Sequence, residues 1–311
     1  MGIAVVFPGQ GSQAPGWGEP WRDEPAWAVV EQAEAVLGEA VAPLLLDQTA
    51  ALERTRDAQL AVLLSALVAW EAVRERVTTA TGAGQLVAVA GHSLGQLSAL
   101  IAASTLSLED GLHLVASRAE VTQTAADRRP GRMAALLGAT PEQAAAACAA
   151  VGDGCWVAND NAPGQIVISG TPEGVDAAIE AAKASGVRRA IPLKVDGGFH
   201  TPLMAEARTA FAEALATVPL ADSAVPVVSN ADAVPYTDGE GWRARLADHL
   251  VSPVRWRESL LALTELGVTR LVEVGPGETL TGMARRTVPD IELQSIATPE
   301  SIATAESEAS S

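Results

Sequence analysis

Short, wholly apolar runs alternate along this chain with longer stretches whose apolar positions recur at helical spacing. That alternation predicts an α/β fold: a strand buried on both faces reads as an unbroken apolar run, and a helix as a 3.6-residue repeat. Ala4–Phe7 reads as a buried strand ending at Pro8-Gly9. A long helix is predicted from Asp57 to Val77, apolar round most of its circumference and therefore central. Leu86–Ala90 is a second buried strand that runs straight into Gly91-His92-Ser93-Leu94-Gly95. Helices follow over Gly95–Ala103 and over Leu108–Ala126, the latter with Ser107 as N-cap.

From Arg132 to Val195 the pattern changes. Met133–Leu137 reads as a strand, and Thr140-Pro141 opens a helix with Thr as cap and Pro at the first helical position. Trp156–Ala158 and Gln165–Ser169 read as strands joined by a turn-rich loop, Asn159–Gly164. Thr171-Pro172 opens a second helix, and Arg189–Val195 is a last strand. The order βαββαβ predicts a ferredoxin-like unit inserted into the larger α/β domain. Beyond it the pattern predicts a helix over Pro202–Thr217 and strands over Val225–Ser229 and Arg270–Val274, with a Gly275-Pro276-Gly277 turn before another helix. The expected division is a large domain of residues 1–127 and 197–296, a subdomain of 128–196, and a disordered Ser/Ala/Glu tail of 297–311.

Composition narrows the function. Hydrophobic residues make up 48% of the 311, enough for a substantial core. The net charge of −17 disfavours nucleic acid and anionic lipid as partners. No apolar run approaches the roughly 18 residues of a membrane span. The opening residues carry neither a basic segment nor a cleavage signal, so a soluble, cytoplasmic protein is expected. Cys148 and Cys155 read as ordinary buried thiols, and no Cys/His cluster suggests zinc.

The chemistry centres on Gly91–Gly95, a G-x-S-x-G turn between a strand and a helix. A serine hydroxyl is a weak nucleophile, and such a turn exposes it at a helix N-terminus beside backbone donors. The Leu94 N–H is placed to stabilise an oxyanion. A Gly-Ser turn without chemistry is the alternative. For the base, four histidines are available. His92 adjoins the serine and is expected to point away, and His113 and His249 are readable as packing residues. His200, in the loop Gly197-Gly198-Phe199-His200-Thr201-Pro202, is the candidate, because loops on a rigid scaffold carry catalytic groups.

Five segments then stand in one order: Phe7-Pro8-Gly9-Gln10-Gly11-Ser12-Gln13, the serine turn, Asn161-Ala162-Pro163-Gly164-Gln165, Gly198-Phe199-His200-Thr201-Pro202-Leu203-Met204 and Glu273-Val274-Gly275-Pro276-Gly277. Over about residues 3 to 290 the chain resembles malonyl-CoA:acyl-carrier-protein transacylases and the acyltransferases of polyketide synthases. The resemblance implies a hydrolase-like parallel-sheet domain with the inserted subdomain. It also implies a Ser93–His200 pair and ping-pong transfer from a CoA or phosphopantetheine thioester to an acyl carrier protein, with no bound cofactor and no metal. It places Gln10 with Leu94 at the oxyanion hole, Arg118 on the acyl carboxylate, and Phe199, Asn161 and Gln59 at the substrate. It implies that a carbonyl of the Ser252–Trp256 stretch orients His200. A monomer is expected.

Two departures widen the possibilities. Gln96 stands where the family has glutamate, and the loop Asp196-Gly197-Gly198 is small. Both leave open a discrete polyketide-pathway enzyme that moves a larger or modified acyl group between carriers. An acyl-thioester hydrolase and an inactive carrier-binding scaffold are the other readings. Carrier proteins are acidic, so a chain at −17 needs a local basic patch. The candidates are Arg188, Arg189, Arg285 and Arg286, with Arg128, Arg129, Arg132, Lys183 and Lys194 nearby.

Overall fold

The computed structural model describes residues 2–47, 52, 55–78, 84–195 and 197–302. The chain opens with β1 (Gly2–Phe7), two short helices α1 (Ala28–Leu37) and α2 (Ala42–Leu46), and the long α3 (Thr55–Thr78). β2 (Gln85–Gly91) leads into α4 (Gly95–Ala102) and α5 (Leu108–Arg128), whose N-cap Ser107 accepts from the Asp110 N–H.

The inserted unit follows as β3 (Arg132–Leu137), α6 (Pro141–Ala149), β4 (Cys155–Ala162), β5 (Gln165–Gly170), α7 (Pro172–Ala184) and β6 (Arg189–Pro192). Thr140 and Gln143 close a reciprocal capping box at α6. The remainder is α8 (Ala205–Leu215), β7 (Val227–Val228), β8 (Pro235–Tyr236), α9 (Trp242–His249), α10 (Trp256–Glu265), β9 (Val268–Val274), α11 (Thr279–Thr287) and β10 (Glu292–Ile296).

Six strands form the large sheet in the order β10-β9-β1-β2-β7-β8, parallel except for the β7–β8 edge. Alternate residues of β1 serve opposite faces. Ile3, Val5 and Phe7 join the core that holds the leucines of α3, and Ala4 and Val6 join the core of Trp256, Leu260 and Leu280. Both faces are thus covered, which is why the strand reads as an unbroken apolar run. Each fully buried α3 leucine contributes about 2 kcal/mol through removal of its surface from water. The small sheet runs β4-β5-β3-β6, antiparallel throughout, the ferredoxin-like order.

Four expectations are corrected. Asn159–Ala162 belong to β4, not to a loop. Their polar side chains find partners outside the sheet: Asn161 on His92, and Asp160 on Arg257. β6 stops at Pro192, and the Leu193 N–H still reaches the Met133 carbonyl. The Pro202–Thr217 helix is a 3-10 turn, Pro202–Met204, followed by α8. Residues 297–302, expected to open the tail, are ordered: the Ala297 carbonyl accepts from Trp21 Nε1, and Ile302 packs on the core. Asp196 and residues 303–311 lie outside the described residues.

Candidate active site

The β2–α4 turn is held by close backbone approaches that forbid side chains on both flanking glycines. A Cβ on Gly91 would fall 1.9 Å from the Gly95 carbonyl oxygen, and one on Gly95 would fall 2.2 Å from that of Phe7. Ser93 between them has φ +52, a left-handed conformation that costs a non-glycine residue about 1–3 kcal/mol. Its N–H donates to Asn230 Oδ1 at 2.8 Å. The Leu94 and Gln10 N–H groups have no acceptor among the described residues. Gln10 and Ser93 line one cavity of about 440 Å³. Two free backbone donors beside the nucleophilic hydroxyl are what a developing oxyanion requires.

His200, also left-handed at φ +61, lies on the loop after the small sheet. Its Nδ1–H donates to the carbonyls of His249 (3.0 Å) and Ser252 (3.2 Å). Those two acceptors fix the tautomer, so Nε2 carries the lone pair and accepts from Ser93 Oγ at 2.8 Å. Burial is the first cause, and the Arg118 charge the second, that holds His200 down at about 3, so the imidazole is neutral near pH 7. His249 does more than fill space. Its carbonyl is the nearer orienting group, and its ring lies 4.9 Å from the His200 ring.

Arg118 comes from the middle of α5 and is buried. Nη1 donates to Gln59 Oε1 at 2.7 Å, and Nη2 to Ser93 Oγ at 3.4 Å. It is buried, and among the described residues it has no carboxylate partner, so the alternative of a surface ion pair is removed. Burial lowers it to about 10, and it stays charged. A buried cation without a counter-ion is costly unless a ligand supplies the anion.

The structure assembles Ser93, His200, Gln10, Arg118, Gln59, Asn161 and Phe199 around the one cavity. Two of them act through neighbours. Gln59 anchors the guanidinium, and Asn161 Oδ1 accepts from His92 Nε2 at 2.8 Å. Gln96 is buried in α4 and does not line the cavity. Glu273, from the last of the five segments, caps α11 by accepting from the Leu280 (3.0 Å) and Thr281 (2.7 Å) N–H groups. Thr279, Leu280 and Met283 of that helix line the cavity. Among the described residues no group of three His, Cys, Asp or Glu is placed to hold a metal, and no helix is long and apolar enough to cross a membrane. The sequence reading missed Asn230. A single Asn in a short loop gives no periodic or motif signal.

The basic candidates divide. Arg128 and Arg129 pair with Glu206, and Arg132 with Asp176, so these three are already engaged. Arg188, Arg189 and Arg285 are exposed, with no ion-pair partner among the described residues. Arg286 donates to Gln165 Oε1. Gln165 and Arg189 both stand opposite Leu137, one on each side of β3. Opposite residues of antiparallel strands point to the same face. That face carries Val167 and Met133, which line the cavity.

Chemistry of this kind makes and breaks a serine ester, the work of an acyl-transfer enzyme. The chain belongs to the family described as the acyl transferase domain, which matches residues 4–307. It is 40% identical over 299 residues to the malonyl CoA-acyl carrier protein transacylase of Synechocystis sp., covering 95% of this chain and 97% of that one. It is 37% identical to the enzyme of that name from Bacillus subtilis, covering 96% and 95%. A solved malonyl-transacylase, in complex with its type II PKS acyl-carrier protein, superposes with a TM-score of 0.93 at 33% identity and covers 99% of this chain and all of that one.

Proposed function

We propose that this protein moves a malonyl group from malonyl-CoA to the phosphopantetheine thiol of an acyl carrier protein, through an ester on Ser93. The observation that carries the substrate class is the buried Arg118 guanidinium, 3.4 Å from Ser93 Oγ and without a carboxylate partner among the described residues. A guanidinium takes a carboxylate in a bidentate fork, and a thioester with a free carboxylate brings that group to a fixed distance from its reacting carbon.

In the first half-reaction Ser93 Oγ attacks the thioester carbon as its proton passes to His200 Nε2. The oxyanion settles on the Leu94 and Gln10 N–H groups. On collapse the CoA thiolate leaves and takes the proton from His200. In the second half-reaction the carrier thiol gives its proton to His200 and attacks the ester, and Ser93 departs with that proton. His200 begins and ends neutral, in keeping with its depressed pKa.

The carrier meets the cavity mouth along the row from Arg286 through Gln165 and Leu137 to Arg189, with Arg188 and Arg285 beside it. The domain division at residues 127/128 and 196/197 follows the two sheets, and the setting is the cytoplasm. The test is intact-mass measurement after incubation with malonyl-CoA. One malonyl adduct is expected, on the Ser93 peptide, absent from Ser93→Ala and discharged by a holo carrier protein. Labelling by acetyl-CoA in preference to malonyl-CoA would reject the substrate.

A further inference from the structure

We propose that Asn230 is a positioning residue that holds the nucleophile and ties it to the segment that orients the base. Three bonds make the connection. Its side-chain Oδ1 accepts from the Ser93 N–H at 2.8 Å. Its own carbonyl accepts from the Arg255 N–H at 2.8 Å. Three residues before Arg255, the Ser252 carbonyl accepts from His200 Nδ1. Asn230 is fully buried in the turn between β7 and β8, with the Ser229–Val234 backbone pair closing that turn behind it.

The arrangement answers a requirement of the turn. Ser93 sits left-handed without the freedom of glycine, and it stands ahead of the helix that begins at Gly95, outside that helix's ladder of bonds. Without an acceptor that N–H would be an unsatisfied buried donor, and the turn would relax toward a conformation that moves Oγ. Asn230 supplies the acceptor and leaves the next N–H, that of Leu94, free for the oxyanion. The same residue reaches the small sheet at one remove. Val254 bonds through its N–H to the Ala158 carbonyl and through its carbonyl to the Asp160 N–H, so the segment next to Asn230 is stitched to β4.

The inference rests on Ser93 being the acylated residue, and the experiment separates the two. Single-turnover acylation by malonyl-CoA is followed by quenched intact mass in wild type, Asn230→Ala and Asn230→Asp, with the adduct mapped to its peptide. Asn230→Ala is expected to acylate Ser93 about ten- to a hundredfold more slowly, with KM for malonyl-CoA little changed because Arg118 is untouched. Asn230→Asp keeps the acceptor, so it regains most of the rate. Its carboxylate sits on the N–H of the residue whose hydroxyl His200 Nε2 holds, and its negative charge there moves the acid limb of the pH–rate profile upward. Should the alanine variant fold poorly, the aspartate variant carries the test through that limb. Wild-type acylation in Asn230→Ala, or an unmoved limb in Asn230→Asp, overturns the proposal. An adduct in the wild type on any residue but Ser93 overturns the reading beneath it.

Discussion

Arg118 Nη2 stands 3.4 Å from Ser93 Oγ while Nη1 is held by Gln59 Oε1 at 2.7 Å. One guanidinium thus spans from an anchor in α3 to the nucleophile, and among the described residues no carboxylate compensates its charge. Arg118→Ala is expected to lower kcat/KM for malonyl-CoA by about a hundredfold or more and to leave acetyl-CoA acylation intact or improved. Arg118→Lys should restore little, because a point charge cannot reproduce the fork. Competition between the two thioesters, read by mass, checks this.

The pH dependence of the rate follows from His200. Burial and Arg118 hold it at about 3, far below the ordinary histidine value of 6.5. The free enzyme therefore keeps its base neutral through mildly acid pH, and kcat/KM should show no acid limb near 6.5. A bound malonyl carboxylate offsets the Arg118 charge and raises His200. The limb in kcat, which reports the complex, should lie at higher pH than that in kcat/KM.

Stability should fall with acid for the same reason. His92, His200 and His249 all have folded values depressed by burial. For His200 that contribution is complete above the unfolded value of 6.5 and is lost as pH falls from there toward about 3, and His92 and His249 act in the same direction. Glu273 acts in the opposite sense. Burial raises it, so its contribution is complete below its unfolded value and lost as pH rises through its folded one. Thermal melts from pH 7 to pH 4 should show a declining Tm, and His249→Gln should lessen the slope.

Glu273 itself is a structural prediction. It satisfies two N–H groups at the start of α11 from a fully buried position. Glu273→Ala strands both donors and should cost about 2–4 kcal/mol in denaturant melts. The loss should also loosen the cavity wall formed by Leu280 and Met283.

The rim charges make a kinetic prediction. Arg189→Glu combined with Arg286→Glu should raise KM for the carrier about tenfold and steepen no other parameter. Hydrolysis of malonyl-CoA in the absence of carrier should be unchanged. Equal carrier kinetics in the variant would place the docking surface elsewhere.

Much of the fold was legible because its signals are local. The run Leu86–Ala90 is apolar because its strand is covered on both faces, and Thr140-Pro141 and Thr171-Pro172 announce helices because capping uses only neighbours in sequence. Asn159–Ala162 read as a loop for the converse reason. Their polarity is satisfied by His92 and Arg257, partners that no local window contains. Ala297–Ile302 read as tail because the groups that hold it, Trp21 and the core behind it, lie at the other end of the chain.

The sequence by itself determined the strand–turn–helix around Ser93, since the apolar run, the G-x-S-x-G turn and the helical repeat after it are all local signals. It also determined the inserted βαββαβ unit, whose order is written in its periodicities. The motifs around His200 pointed to it as the base, but tertiary structure decided that it meets Ser93 Oγ and that the His249 carbonyl joins that of Ser252 in fixing its tautomer, because those acceptors are backbone atoms and carry no residue signature. Tertiary structure alone decided that Arg118 has no carboxylate partner among the described residues and that Asn230 accepts from the Ser93 N–H. Pairing and orientation depend on distances between elements far apart in the chain, and composition and spacing do not encode those distances.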